Sequence, residues 1–370
     1  MKLSRKITAL CLCLIVAAGA FYAGAENAQD DIVVVSLGDS YASGEGIEPF
    51  YGSDKPMGEK MYDPDWLGHR SENSWSGMLE VPGLDGPLSL HRGIYVKNSD
   101  GTFTQTLEGN WFFVAATGAE TVHLFQPKTV HVSKKENGKT YKGDATIPPQ
   151  LEIFEALRQD GRQADYVTVT FGGNDIGFVS IIINMIAGGP VASSFAGKLS
   201  EYVQFKSLKD AMDDIWDKFY AEGGYRERLL NAYRSICEAA GAQAKVIIAG
   251  YPVFLSKSTS SFLFADDDID LLKESTHRFN AELESIAEEL TGEGYKVYFV
   301  SVEEAFEGKG AYSGRSDEMI NRIQFGASEQ DHERFGLVSM YSLHPNLLGA
   351  KAYAECVQRK IDEIAEETEN

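Results

Sequence analysis

Apolar and polar positions alternate between two patterns along the chain. Short, almost wholly apolar runs rich in β-branched residues are typical of strands buried on both faces of a parallel sheet. Such runs predict four strands: Ile32–Leu37, Tyr166–Phe171, Lys245–Ala249 and Lys296–Val300. Between them, apolar residues recur every three or four positions, as in amphipathic helices. This period predicts helices over 148–160, 226–240, about 269–291 and from about Leu347 onward.

Strands that alternate with helices predict an α/β fold, in which helices cover a central parallel sheet. Three insertions interrupt this order. The segment from about 48 to 144 is rich in glycine and aromatic residues, and its turn signals at 98–101 and Asn137-Gly138 predict a few β-hairpins. The second insertion, at about 181–209, is apolar and then helical, and the third, at about 254–270, mixes Ser and Thr with apolar residues. They are interpreted either as lids or acyl-binding walls near a strand end, or as additional core.

The N-terminus has a pattern of its own. Three cations among the first six residues precede an apolar run over 7–22, which Ala23-Gly24-Ala25 follows. This order predicts a cleaved signal peptide over 1–25 and a secreted single domain over 26–370. The apolar run is shorter than the roughly 20 residues that a spanning helix needs, so a retained membrane anchor is the weaker alternative. No later segment is long and apolar enough to cross a bilayer.

Composition narrows the classes of function. A chain of 370 residues with 43% hydrophobic residues can fill a large core. Its formal net charge of -21 argues against binding nucleic acid through bulk electrostatics, and neutral or cationic substrates fit better. Beyond the signal peptide only Cys237 and Cys356 remain. An exported protein could join them in one disulfide, but the sequence leaves the pairing open.

Candidate chemistry begins directly after the first predicted strand, in Gly38–Gly46 (GDSYASGEG). Ser40 is therefore expected at the carboxyl end of a buried strand, where open α/β sheets place their sites. A helix that begins there would present backbone N–H groups to a developing negative charge. Gly, Asp and Ser are common at strand-to-loop junctions, so this segment alone does not identify a nucleophile.

Three further segments follow in an order compatible with a single site. Ala115–Ala119 (AATGA) follows an apolar run, and its Gly118 amide could face the site. Gly172–Asp175 (GGND) follows the second strand and offers the Asn174 side chain as a hydrogen-bond donor. Ser342–Asn346 (SLHPN) precedes the last helix and offers the imidazole of His344.

A Ser, a Gly, an Asn and a His in this order resemble the hallmark residues of the SGNH (GDSL-type) hydrolase family. Gly118 is the loosest match, because its block is short and variable. The resemblance implies a flavodoxin-like three-layer α/β/α domain that hydrolyses carboxylic esters through an acyl-enzyme without a cofactor. By this resemblance Ser40 is the nucleophile and His344 is its base. The oxyanion hole combines the Ser40 and Gly118 amides with the Asn174 side chain.

One position departs from the family pattern. Most members carry Asp three residues before the catalytic His, whereas this chain has Tyr341 there. The resemblance to secreted esterases with a Ser-His dyad implies that a main-chain carbonyl of Tyr341 or a close neighbour orients His344. Asp331 or Asp317 from the preceding loop is the alternative. The segment His69-Arg70-Ser71 resembles a short HRS segment of related secreted esterases and could support the site.

Three functions remain open. The first is an esterase or lipase that acts on small-molecule or lipid esters with short-to-medium acyl chains. The second is an esterase for O-acetyl groups of extracellular glycans, with Trp66, Trp75 and Trp111 as sugar-stacking surfaces. The third is a catalytically inactive binding protein on the same fold. No pair of histidines has the spacing of metal ligands, so no metal is expected.

Overall fold

The apolar runs of the sequence form the strands of one parallel sheet. The computed structural model describes residues 32–98, 103–177, 207–257, 265–325, 334–335 and 338–369. The strands are β1 (Val34–Gly38), β2 (Tyr95–Lys97), β3 (Phe103–Gln105), β4 (Trp111–Phe113), β5 (Lys128–Glu136), β6 (Lys139–Ile147), β7 (Tyr166–Thr170), β8 (Lys245–Ala249), β9 (Lys296–Val300), β10 (Arg334–Phe335) and β11 (Val338–Ser339). The predicted signal peptide and most of the 181–209 insertion lie outside the described residues.

Five of these strands pair in parallel in the order β4-β1-β7-β8-β9. Numbered by their own sequence, this is the order 2-1-3-4-5 of doubly wound flavodoxin-like sheets. β1 and β7 lie next to each other inside the sheet and are buried at every position. Because both strands are buried at every position, their sequences are mostly apolar and β-branched rather than alternating between apolar and charged residues.

The helices are α1 (Ser40–Ser43), α2 (Met57–Lys60), α3 (Pro64–Leu67), α4 (Glu152–Gln159), α5 (Leu208–Tyr220), α6 (Tyr225–Ala240), α7 (Asp266–Gly292), α8 (Glu303–Phe306) and α9 (Leu347–Glu369). Short 3-10 helices cover Ser76–Met78, Leu88–His91 and Thr121–Leu124. α6 contacts α4, α5 and α7, whereas α9 packs on α8 and β9. The predicted fold class, a central parallel sheet flanked by helices, is confirmed.

The first insertion contains the predicted hairpins. β5 and β6 pair antiparallel through the two-residue turn Asn137-Gly138, whose φ angles of 50° and 77° are both positive. Positive φ at both central residues is the requirement of a type I′ turn, which Asn-Gly satisfies well. β2 pairs with β3 across the other predicted turn, and residues 99–102 of that turn lie outside the described part of the chain.

The tryptophans proposed as sugar-stacking surfaces belong to the core. Trp66, Trp75 and Trp111 are 0%, 2% and 0% exposed. The indole N–H of Trp75 donates to the Tyr41 carbonyl and that of Trp111 to the Ser36 hydroxyl. Buried rings with satisfied N–H groups have no face left for a sugar, so this role for the three residues is wrong.

The two cysteines outside the predicted signal peptide are buried and unbonded. Cys237 lies in α6 and Cys356 in α9. Burial raises the pKa of the Cys237 thiol to about 12, which keeps it protonated and inert at neutral pH. Among the described helices, none combines the length and the apolar character needed to cross a bilayer.

We expect Gly38→Ala to lower the free energy of unfolding by about 2–4 kcal/mol in urea denaturation. Gly38 has a φ of +132°, and a Cβ there would lie 2.3 Å from the Thr170 carbonyl oxygen and 2.8 Å from the Ala42 Cβ. Gly138→Ala is the matched control, because its φ is +77° and a Cβ would meet nothing within 4 Å. The control carries only conformational strain, about 1–2 kcal/mol. Equal losses in the two variants would contradict the steric explanation.

Candidate active site

The carboxyl end of β1 is fixed from two sides before the chain turns into the site. On one side the Asp39 N–H donates to the Thr170 carbonyl of β7 at 3.0 Å. On the other side the Gln150 side chain bonds to both backbone groups of Gly38, as a neighbouring strand would. Its Oε1 accepts from the Gly38 N–H and its Nε2 donates to the Gly38 carbonyl, both at 2.8 Å. Ser40 therefore begins α1 from a backbone that is hydrogen-bonded on both edges.

α1 is a single helical turn, and residues at both ends of it define its shape. The Asp39 carboxylate caps the turn by accepting from the Tyr41 N–H at 2.9 Å. Gly44 ends it in the left-handed region at φ 83°, a conformation that glycine adopts without steric cost. The short helix predicted after the first strand is thus present, and it holds Ser40 at its first position.

Ser40 and His344 meet at the end of the sheet. The Ser40 Oγ lies 2.7 Å from the His344 Nε2, although 304 positions separate the two residues in the chain. His344 Nδ1 lies 3.0 Å from the Ser342 carbonyl oxygen, which can only accept a hydrogen bond. Nδ1 therefore carries the proton, and Nε2 presents its lone pair to the serine hydroxyl. This is the tautomer that a general base for Ser40 requires.

The loop that carries His344 is hydrogen-bonded to α1 and to the segment around Asn321. The Tyr41 hydroxyl donates to the Leu343 carbonyl at 2.8 Å, and Leu343 has a positive φ of 62°. The Asn321 N–H donates to the His344 carbonyl at 2.8 Å. The Asn346 side chain caps α9 by accepting from the Leu348 and Gly349 N–H groups. The strained backbone at 343 is thus held by hydrogen bonds on both sides.

The sequence leaves two kinds of group open for the orientation of His344, a main-chain carbonyl or an acid. The Tyr341 carbonyl accepts from the His344 backbone N–H at 3.4 Å, whereas the imidazole contacts the carbonyl of its neighbour Ser342. Asp317 is exposed and pairs with Arg315. Asp331 lies outside the described residues. In the described structure the His344 imidazole is therefore oriented by a main-chain carbonyl next to Tyr341.

The other predicted site residues come from the ends of the neighbouring strands. Asn174 follows β7, and its Nδ2 donates to the Ala119 carbonyl at 2.9 Å. Because an amide nitrogen carries two hydrogens, one remains for a substrate. Gly118, at φ 62°, immediately precedes Ala119. Asp175 accepts from the Thr121 N–H and hydroxyl, and this ties the Gly118 loop to the end of β7.

A buried acid that the sequence interpretation missed lies close to His344. Glu45 and His69 are fully buried, and the Glu45 Oε2 lies 2.7 Å from the His69 Nδ1. The His69 ring stacks on Phe50 with centroids 4.5 Å apart. Glu45 stands between two glycines of the nucleophile block, and both have positive φ. The Gly-Glu-Gly pattern places a charged residue inside a tight turn, and it is the sequence signal that could have pointed to Glu45.

Opposing effects set the pKa values of these groups. Burial lowers the pKa of His344 below its ordinary value, and the negative charge of Glu45 opposes this shift. For Glu45, burial alone raises the pKa, but the charge and hydrogen bond of His69 outweigh it and the net pKa is lowered. Glu45 is therefore ionised at neutral pH. Its negative charge raises the pKa of His344, and the charge of His69 lowers that pKa by a smaller amount.

The rest of the His69-Arg70-Ser71 segment contacts the loops on either side. The Arg70 guanidinium is buried and donates to the carbonyls of Val114 and Ala115, directly ahead of the Gly118 loop. The Ser71 hydroxyl donates to the Ile47 carbonyl at 2.6 Å. The segment therefore connects the loop that carries Gly118 to the chain directly after Gly38–Gly46.

A narrow apolar cavity of about 30 Å³ opens beside Ser40 and Asn174. Its described lining includes Asp39, Tyr41, Gly173, Tyr251, Phe254, Thr276 and Phe279. Tyr251 and Phe254 follow β8 and Phe279 lies on α7, so elements distant in sequence form its walls.

Comparison with known proteins identifies relatives of this architecture through structure alone. No family model matches the chain, and no curated protein sequence matches it. The extracellular lipase of Streptomyces rimosus is similar over 89% of this chain and 99% of its own, with a TM-score of 0.53 and 19% identity. The phospholipase A1 of Streptomyces albidoflavus covers the same shares, with a TM-score of 0.52 and 17% identity. The chain therefore shares the fold of these two Streptomyces enzymes.

Proposed function

We propose that this protein is a secreted carboxylic ester hydrolase that works through a serine nucleophile and an acyl-enzyme. The observation that carries the proposal is the 2.7 Å contact between the Ser40 Oγ and the His344 Nε2, with the opposite ring nitrogen on the Ser342 carbonyl. The conjunction of GDS, GGND and HPN blocks supports membership of the SGNH hydrolase family. The shared fold with a lipase and a phospholipase is consistent with this chemistry.

The reaction follows from the tautomer of His344. As the Ser40 Oγ bonds to the ester carbonyl carbon, its proton passes to His344 Nε2, and the carbonyl oxygen becomes an oxyanion. When the carbon–oxygen bond to the alcohol breaks, His344 returns that proton to the leaving oxygen. A water molecule then attacks the acyl carbon and gives a proton to His344 Nε2. When the bond from that carbon to the Ser40 Oγ breaks, His344 returns the proton to Ser40 and the acid is released. Throughout, the Ser342 carbonyl retains the Nδ1 proton and the orientation of the ring.

The oxyanion requires donors that are already in place when the negative charge develops. We assign this role to the Ser40 and Gly118 amides and the free hydrogen of the Asn174 amide. The bond from Asn174 to Ala119 fixes the side chain, so the remaining hydrogen needs no reorganisation during the reaction. One such donor typically contributes about 3–4 kcal/mol of transition-state stabilisation.

Glu45 supplies the negative charge that a carboxylate of a full triad would otherwise provide. The imidazolium formed during each proton transfer is buried, and burial disfavours its charge. A nearby ionised carboxylate lowers this cost through space. His69 keeps Glu45 ionised and in place.

The cavity beside Ser40 supports a preference for short acyl groups. The cavity has a volume of only about 30 Å³, so it suits a short acyl group better than a long one. Four of its nine described lining residues are aromatic and its exposed surface is mainly apolar, which suits an alkyl group rather than a sugar. Secretion is supported by the charged and apolar pattern of the first 25 residues.

A fluorophosphonate probe should label the wild-type protein at Ser40, and Ser40→Ala should abolish the label. Ser40→Ala and His344→Gln should each lower kcat for p-nitrophenyl acetate by about 10⁴-fold or more, because the two residues act as one unit. Intact-mass spectrometry and ester kinetics measure both effects. Ser43→Ala is the matched control, since Ser43 is buried in the same helical turn. Labelling that persists in Ser40→Ala would refute the assignment of the nucleophile.

Glu45→Gln should move the acid limb of the kcat/KM profile to lower pH. Glu45 raises the pKa of His344, so without its charge His344 gives up its proton more readily and stays neutral to lower pH. Above that limb kcat should fall about tenfold, equivalent to roughly 1.4 kcal/mol of barrier. Glu72→Gln removes an exposed carboxylate near the same segment and should change neither quantity. Folding of each variant is checked by circular dichroism, and an unmoved limb in folded Glu45→Gln would contradict the electrostatic role.

Across p-nitrophenyl esters from acetate to octanoate, kcat/KM should be highest for acyl chains of two to four carbons. It should be at least about tenfold lower for octanoate. Phe254→Ala should reduce that difference, because it removes one wall of the cavity. Exposed Phe125→Ala should leave the profile unchanged. A profile that rises toward octanoate would exclude the cavity as the acyl site, and activity confined to acetylated xylan would favour a glycan substrate.

A further inference from the structure

One buried hydroxyl joins two segments that the proposed mechanism needs at a defined separation. Tyr251 follows β8, and its hydroxyl donates to the Asp39 Oδ2 at 2.5 Å. The same hydroxyl oxygen accepts from the Gly173 N–H at 3.0 Å. Asp39 immediately precedes Ser40, and Gly173 immediately precedes Asn174. A single side chain therefore connects the residue before the nucleophile to the residue before an oxyanion donor.

Tyr251 is itself held from both its backbone and its ring. The Asn280 side chain accepts from the Tyr251 N–H at 2.8 Å and donates to its carbonyl at 2.7 Å. The ring contacts Tyr41 edge-on, with centroids 5.2 Å apart, and lies 5.5 Å from Phe279. Two hydrogen bonds and two aromatic contacts leave the hydroxyl little freedom, so it can impose a position on its partners.

We propose that Tyr251 is a positioning residue that, through Asp39 and Gly173, sets the distance between the Ser40 nucleophile and the Asn174 oxyanion donor. This inference rests on the ester hydrolase function proposed above. The backbone pairing of β1 with β7 ends at Gly38 and Thr170, two and four residues short of Ser40 and Asn174. Beyond that pairing, the Tyr251 hydroxyl connects the two segments through Asp39 and Gly173.

The link also depends on the charge of Asp39. Burial and, to a smaller extent, the charge of Asp175 raise the pKa of Asp39 to about 7, against the lowering effect of the hydrogen bonds from Tyr251 and Tyr41. Tyr41, Tyr233 and Tyr353 also face this carboxylate from α1, α6 and α9. The ionised form accepts from the Tyr41 N–H and from the Tyr251 hydroxyl together. Protonation near neutral pH weakens both bonds and loosens the nucleophile turn.

Tyr251→Phe tests the proposal, because it removes the hydroxyl and keeps the ring contacts. We expect kcat for p-nitrophenyl acetate to fall about 30- to 100-fold, the scale of an ångström-size misplacement, with KM within about threefold of wild type. The limb that reports Asp39, which is distinct from the acid limb of His344, should move to higher pH, since the bond that lowers the pKa of Asp39 is gone. A loss of packing alone does not produce such a shift.

Tyr233→Phe is the matched control. Tyr233 is also fully buried, and its hydroxyl donates to the Phe171 carbonyl at 3.0 Å without joining the two segments. Its kcat should stay within about threefold of wild type. Asp39→Asn is the second variant. It keeps an acceptor for the Tyr41 N–H but cannot titrate, so its profile should lack the limb near pH 7.

The outcomes separate this inference from the proposed function. Absence of phosphonate labelling in the wild type defeats the function itself. With the wild type labelled and active, Tyr251→Phe at wild-type kcat, or an equal loss in Tyr233→Phe, overturns the positioning role. Should Tyr251→Phe not fold, Asp39→Asn decides, and a limb that stays near pH 7 in that variant overturns the proposal.

Discussion

The parallel pairing of β1 with β7 is the constraint on which the candidate site depends. Its register places Gly38 opposite Thr170, so both chains leave the sheet at the same edge and only a few residues before Ser40 and Asn174. This is the point where the strand order of the sheet reverses, and the crevice that forms there is the usual ligand site of doubly wound folds. The hydroxyl and the amide donor are brought together by the sheet rather than by their own contacts.

Around this edge several buried polar side chains hydrogen-bond to the backbone. Gln150 bonds to both backbone groups of Gly38, Arg70 binds two carbonyls ahead of the Gly118 loop, and Asn280 holds Tyr251. Each bond fixes a loop to the rigid sheet. Loops carry the reacting groups, so this support gives them the positional precision that irregular backbone lacks by itself.

Two pairs of residues set the electrostatics of the site: His344 with the Ser342 carbonyl, and Glu45 with His69. A neutral carbonyl orients His344, whereas the negative charge comes from Glu45, which His69 holds at a distance. Orientation and charge, which a single carboxylate provides in a full triad, are thus separated here. Asp39 adds a second acidic group, whose burial raises its pKa to about 7 and whose partners are Tyr41 and Tyr251.

The sequence alone determined the fold class and located four of the five parallel strands, because burial on both faces leaves an almost continuous apolar pattern. It also singled out Ser40, Asn174 and His344, since each follows a strand or precedes a helix in a recognisable block. The sequence did not single out Glu45 or Tyr251, and it offered His69 only as part of a segment that could support the site. The sugar-stacking role considered for three tryptophans is wrong, because they are buried. Local pattern records whether a residue suits a strand or a turn. Only the tertiary structure decided which distant side chains share a hydrogen bond, because those contacts arise from the packing of loops at the sheet edge.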